Sequence, residues 1–173
     1  MISSDPKSYY HAWKDPRWQV AMDEEMHSLQ KNTTWELVSL PPGRKLVQCK
    51  WVFRTKVAAD GSTCKYKARL VAKGFSQVQG VDYHETFAPV AKMDSIRLVL
   101  AISASKHWEV HHMDVKLAFL HGDLHEEIYM NHPEDYIIDP SLVCKLKKSL
   151  YGLKHAPREW YSKMDAFLLS QKF

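Results

Sequence analysis

Two runs of alternating residues around an Asp-Gly dipeptide constrain this chain more than any other feature in it. From Gln48 to Val57 the apolar Cys49, Trp51 and Phe53 alternate with Lys50, Arg54 and Lys56. Residues 65 to 73 repeat the pattern, with Tyr66, Ala68, Leu70 and Ala72 set against Lys65, Lys67, Arg69 and Lys73. A period of two places each set on its own face of an extended chain, and Asp60-Gly61 supplies residues that tolerate the positive φ of a tight hairpin turn. The spacing predicts a β-hairpin with one apolar and one cationic face. Seven cations fall between Lys50 and Lys73, and Asp60, in the turn, is the only acid there. Like charges on neighbouring strands repel, each cross-strand clash costing up to about 1 kcal/mol. A surface this one-sided suits a polyanion, whose phosphates would neutralise it and release counterions. Lysines guarding a solvated sheet edge against aggregation are the plainer reading, and the pattern alone leaves both standing.

The remaining elements follow from punctuation and periodicity. Asp15-Pro16 opens a helix with an acid at the N-cap and proline at the first helical position. Trp18, Met22, Met26 and Leu29 recur at helical spacing behind it, and the helix is expected to end near Asn32. Trp35 to Leu40 reads as a short strand stopped by Pro41-Pro42-Gly43. Residues 74 to 93 are expected to be loop. Asp94 or Ser95 can cap a helix from Ile96 to Lys106, apolar nearly all round and therefore expected to be buried. Glu109 to Val115 reads as a strand, as do Ile128 to Met130 and Val143 to Leu146. Pro157 opens an amphipathic helix whose Trp160, Tyr161, Met164, Phe167 and Leu168 mark one face.

A length of 173 residues allows one domain, or one domain with a small subdomain, and 45% apolar with 25% charged residues is a globular composition. Cys49, Cys64 and Cys144 are odd in number and widely spaced, which argues against a disulfide framework or zinc ribbon and fits a reducing compartment. Neither a signal-peptide core nor a membrane-length apolar run is present, so a soluble, intracellular protein with no membrane partner is expected.

Asp114 closes an apolar approach and opens an amphipathic stretch, Val115-Lys116-Leu117-Ala118-Phe119-Leu120. A carboxylate placed there can bind Mg²⁺, which prefers hard oxygen ligands; it can equally cap the turn that follows. His111, His112, His121, His125 and His132 crowd one region, but Gly122-Asp123 makes a turn of the His121–His125 pair rather than the helix a zinc site would need.

Several motifs, taken together, resemble one family. Cys49-Lys50-Trp51-Val52-Phe53, the run from Tyr66 to Phe75, Glu85-Thr86-Phe87-Ala88-Pro89-Val90, Met113-Asp114-Val115-Lys116 and Ser149-Leu150-Tyr151-Gly152-Leu153-Lys154 are similar, in order and spacing, to signatures of the copia-type LTR-retrotransposon reverse transcriptase. The resemblance runs from about Asp5 to Phe173. It implies an α+β fold, a right-hand polymerase with fingers and an incomplete palm built of antiparallel sheet and helices. It divides the chain into a lead-in segment (1–47), a fingers hairpin and loop (48–93) and a partial palm (94–173).

By that resemblance Lys56, Lys67 and Arg69 face the triphosphate or the template, and Phe119 is a steric gate against a ribose 2′-hydroxyl. Asp114 is a catalytic aspartate and metal ligand beside the Val115 carbonyl. Lys50, Arg54, Lys65, Lys73, Gly152, Lys154 and Pro157 contact template or primer. The implied chemistry is two-metal transfer from deoxynucleoside triphosphates onto a primer paired with RNA or DNA, using two Mg²⁺ ions. The Tyr-x-Asp-Asp carboxylates of the family are expected beyond residue 171 and are not among these 173 residues, so the chain alone is expected to be inactive. By the resemblance, His155 and His132 stand at usual glutamine positions and Asp135 at a usual glycine, which fits a fragment or decayed copy of a mobile element and equally fits ordinary divergence. A non-catalytic nucleic-acid-binding remnant and a product that does not fold stably are the competing readings. Oligomeric state is left open.

Overall fold

The computed structural model describes residues 5–57, 63–137 and 139–172. The chain is a mixed α+β structure whose described residues form four α-helices, a two-stranded ribbon and a four-stranded sheet. Helix α1 spans Tyr9–Trp13 and α2 spans Pro16–Lys31. As its sequence demands, α2 starts where the Asp15 carboxylate accepts the Arg17 N–H at 2.9 Å, with proline in the first turn. The Ser8 hydroxyl caps α1 in the same manner.

The ribbon pairs β3 (Cys49–Val57) with β4 (Thr63–Ala72), antiparallel from Cys49↔Ala72 to Arg54↔Lys67 and Lys56↔Lys65, with an irregularity after Lys56. The Asp60-Gly61 turn lies outside the described residues. The apolar face is buried as the alternation requires: Trp51, Phe53, Ala68, Leu70 and Ala72 are all in the core. Helix α2 covers it with Trp18, whose ring meets Tyr66 and Phe53 edge-on at 4.8 and 5.4 Å. Each such ring contributes about 1.5–3 kcal/mol of burial, plus about 0.5–1.5 kcal/mol for the paired geometry. The outer edge of β4 is not left open. Leu70 N–H donates to the buried Glu25 carboxylate of α2 at 3.3 Å, and Ala72 N–H donates to the Tyr151 carbonyl at 2.7 Å.

The second sheet has the order β1-β6-β5-β2, from β1 (Trp35–Val38), β2 (Leu46–Val47), β5 (Tyr129–Met130) and β6 (Val143–Leu146). β1 and β5 flank β6 antiparallel, whereas β2 runs parallel to β5. The purely antiparallel sheet expected from the sequence is thereby corrected to a mixed one. The parallel pair arises because β2 is the last step before the ribbon, whose root is fastened to the end of β5 by the Cys49 N–H bond to Asn131 Oδ1, 2.9 Å.

Three further expectations are overturned in the segment between the sheets. Helix α3 forms at Met93–Ser105, but Lys92 is its N-cap and neither Asp94 nor Ser95 caps it. It is not buried. Ser103 is its one buried residue, while Leu98 and Val99 are 61% and 60% exposed. Apolar periodicity reports what a helix can bury against, and no described element supplies a partner along it. Glu109 to Val115 is not a strand either: it has no regular secondary structure, is exposed and pairs with no strand. A single-turn 3-10 segment at Ala118–His121 follows, entered through Leu117 at φ 56°. Helix α4 spans Ala156–Ser170. Among the described residues no helix is long and apolar enough to cross a membrane.

Candidate nucleotide and nucleic-acid site

The polar face of the ribbon puts cations opposite cations. Arg54 faces Lys67, and Lys56 faces Lys65, across the strand pair. Two acids answer at long range only, Asp5 to Arg54 at 3.7 Å and Glu24 to Lys65 at 3.9 Å, all with well-exposed cationic ends. Among the described residues, Lys50, Lys56 and Lys67 have no acidic partner within 4 Å. Partial burial, followed by Arg69, Lys56 and Lys65, pushes the Lys67 ammonium below its ordinary range, and the buried Glu25 opposes this. The face is electrostatically unsatisfied, and an anion would relieve it. Lys73, at the root, is tied instead to Gln48 Oε1 at 2.8 Å.

The turn after β6 comes back onto this root. Gly152 sits at φ +90°, and a Cβ there would collide with the Ala72 carbonyl oxygen and with Val71 Cγ1. The approach lets the Tyr151 ring slide under Arg69, whose guanidinium lies 4.6 Å from the ring centroid. The other neighbour of Tyr151 is Phe119, edge-on at 4.8 Å and 66°. Arg69 and Phe119, separated by fifty residues, are therefore joined through one tyrosine. In the sequence Tyr151 stands within a motif but has no role of its own; the signal available there is an aromatic residue directly before a glycine.

The rest of the expected site is not gathered. Asp114 is exposed, and among the described residues its carboxylate makes no hydrogen bond or ion pair; Val115 beside it is also exposed. Lys154 is committed to the fold: its N–H donates to Gln77 Oε1 at 2.9 Å, and its ammonium reaches the Tyr83 hydroxyl at 3.1 Å and lies over the Tyr83 ring. Pro157 is exposed in the first turn of α4. His155, beside it, is 1% exposed, with both ring nitrogens unpartnered and Glu126 Oε2 at 3.7 Å. Burial drives its pKa down, against the pull of Glu126. An imidazole in the interior cannot touch a template.

Two divalent ions repel one another and need several anionic oxygens between them. Among the described residues no three of His, Cys, Asp and Glu converge as metal ligands. Asp114 with the Val115 carbonyl fits one contact to a hard cation and does not fit a two-ion centre.

The family model described as reverse transcriptase (RNA-dependent DNA polymerase) matches residues 32–173. The Retrovirus-related Pol polyprotein from transposon TNT 1-94 of Nicotiana tabacum is 56% identical over 155 residues, covering 88% of this chain and 12% of that protein. The corresponding polyprotein from transposon RE1 of Arabidopsis thaliana is 46% identical over 173 residues, covering 98% of this chain and 12% of its own length. The truncated transposon Ty1-A Gag-Pol polyprotein of Saccharomyces cerevisiae is 28% identical over 159 residues, covering 87% of this chain and 12% of its own. The chain thus spans about an eighth of the length of these relatives. No solved structure matches it significantly.

Proposed function

This chain belongs to the reverse transcriptase (RNA-dependent DNA polymerase) family, as a stretch similar to copia- and Ty1-type Pol polyproteins, and on that premise we propose that it forms the fingers and the first part of the palm of such a polymerase. The lead-in segment is 1–47, the fingers hairpin and loop 48–93, and the palm portion 94–173. The observation that carries the reading is the Arg69–Tyr151–Phe119 chain of contacts at the root of an unsatisfied cationic ribbon. A guanidinium suits the triphosphate of an incoming nucleotide, and a ring one aromatic contact further on suits its sugar. Lys56 and Lys67 join Arg69 on the phosphates. Lys50, Arg54, Lys65 and Lys73 follow the template–primer backbone, and Gly152, Lys154 and Pro157 form the turn that supports it. Phe119 crowds a 2′-hydroxyl and selects deoxynucleotides.

In the full polyprotein Asp114, with the Val115 carbonyl, supplies one share of the Mg²⁺ ligands, and further carboxylates supply the rest. These 173 residues alone do not polymerise, because one carboxylate cannot hold the pair of ions the chemistry uses. The exposed apolar side chains of α3 and of 108–115 are then surface that the remainder of the palm covers.

Primer extension on an RNA template with Mg²⁺ or Mn²⁺ is expected to give no product from this chain, and Asp114-dependent synthesis would overturn that. Binding to a labelled primer–template is expected to weaken steeply with salt, and Lys67→Glu with Arg69→Glu to flatten the slope. An unchanged slope removes the ribbon from the site. The isolation of Asp114 gives a second reading its support: a non-catalytic nucleic-acid-binding module, for which the same salt slope is expected without extension in any context. Grafting the segment into a full-length relative separates the two.

A further inference from the structure

We infer that the outer face of α1 and the start of α2 form a stacking surface for single-stranded nucleic acid, continuous with the flank of the ribbon; the inference rests on reading that ribbon as a phosphate-binding element. Helix α1 turns Tyr9 and Ala12 into the core and leaves Tyr10 and Trp13 facing solvent, 67% and 47% exposed. The two rings are not loose. Trp13 stacks on the buried Tyr9 at 5.6 Å and 25°, and its carbonyl accepts a bond from Gln19 Nε2 at 2.6 Å. The Lys14 ammonium lies 4.4 Å from the Tyr10 centroid, and the Arg17 guanidinium lies 4.7 Å from that of Tyr66 in β4.

Two contacts join this face to the flank of the ribbon, on the side that α2 covers. Arg17 bridges α2 to Tyr66, and Asp5, just before α1, accepts the Thr55 N–H and hydroxyl at 2.8 and 2.7 Å beside Arg54. Residues 7–17 carry Lys7, Lys14 and Arg17 against a single acid, Asp15, which Arg17 itself engages. Exposed rings interleaved with cations match a ligand that offers a π-face and a phosphate in each repeat. A duplex hides its base faces, so the occupant is a single strand. A docking protein would instead favour an apolar patch rimmed by polar groups, and here each ring has a cation against it or one residue away.

The test is fluorescence anisotropy of the 173-residue chain with fluorescein-labelled oligo(dT) and with a blunt DNA duplex of equal length, at several salt concentrations. Circular dichroism would verify that each variant is folded. Tyr10→Ala and Trp13→Ala are each expected to weaken oligo(dT) binding about tenfold and leave duplex binding unchanged, while Tyr10→Phe and Trp13→Phe stay within about twofold of wild type. Lys67→Glu with Arg69→Glu is expected to weaken both ligands. If the alanine variants bind oligo(dT) like wild type while the ribbon variant loses both ligands, the stacking surface is overturned and the ribbon reading stands. If the alanine variants lose oligo(dT) and the ribbon variant loses nothing, the ribbon reading falls, and the inference of a surface continuous with a phosphate-binding ribbon is overturned with it. Loss of self-association in sedimentation, with oligo(dT) binding intact, would assign the face to a second copy and overturn the inference.

Discussion

Replacing Gly152 by alanine tests whether the turn after β6 is locked onto the root of the ribbon, which is what brings Tyr151 between Arg69 and Phe119. Three costs act together. A side chain at φ +90° is strained by about 1–2 kcal/mol. The new Cβ overlaps the Ala72 carbonyl oxygen and Val71 Cγ1, and forcing a packed contact apart costs about 1–3 kcal/mol. The Ala72 N–H bond to the Tyr151 carbonyl, 2.7 Å long, stretches or breaks, for roughly 0.5–1.5 kcal/mol. The expected destabilisation is on the order of 3–5 kcal/mol, a large share of a typical domain's stability. Gly43 provides the control. It too has positive φ, +78°, but a Cβ there meets nothing within 4 Å, so Gly43→Ala carries the strain alone, about 1–2 kcal/mol. Urea unfolding followed by tryptophan fluorescence compares the two directly. If Gly152→Ala costs no more than Gly43→Ala, the turn is not packed against β4, and the Arg69–Tyr151–Phe119 juxtaposition loses its support. Gly74→Ala, whose Cβ would strike the Gly152 carbonyl oxygen from the other side, is expected to behave like Gly152→Ala.

Three other outcomes follow from the same structure. Leu98→Lys and Val99→Lys on the exposed face of α3 are expected to change stability by less than about 0.5 kcal/mol and to reduce binding of an apolar dye; a loss of several kcal/mol would mean the helix is buried after all. Burial raises the Glu25 carboxyl above its ordinary 4.5, so the folded state holds the proton more tightly than the unfolded chain does, and stability is lost as pH rises through the raised value. Glu25→Gln keeps an acceptor for Leu70 N–H, and is expected to gain on wild type as pH rises from 4 to 7; a widening deficit over that range would contradict the sign. Asp123 has the opposite linkage: hydrogen bonds from Lys148 and Lys163, at 2.5 and 2.7 Å, hold its carboxyl down at about 2. Its contribution is present above 3.8 and lost as pH falls towards 2. After discounting for exposure and screening, Asp123→Asn is expected to cost on the order of 0.5–1 kcal/mol at neutral pH, vanishing in high salt. A cost that persists in molar salt would point to packing rather than charge.

Much of the fold was legible because the determinants are local. The alternation from Cys49 to Phe53 and from Tyr66 to Ala72 dictated the ribbon and the face it buries, and Asp15-Pro16 dictated the start of α2. The short α1 was not legible, since five residues carry too little periodicity. Nor was β2, whose two residues pair parallel with a partner more than eighty positions away. The apolar run from Ile96 to Ile102 specified a helix correctly and its burial wrongly. Hydrophobicity states what a surface would gain from cover, and burial requires that another element be there to provide it.

By itself, then, the order of residues determined the family and the two-faced ribbon, and it offered the candidates proposed to meet phosphate, sugar and metal. Tertiary structure alone decided which of them meet one another. It placed Tyr151 between Arg69 and Phe119, spent Lys154 on Gln77 and Tyr83, sank His155 beside Glu126 and left Asp114 in solvent. The physical reason is that periodicity fixes the direction of a side chain relative to its own element, whereas a site is made by contacts between elements. Those contacts depend on register, close backbone approach and packing, which are set by residues far apart in the chain.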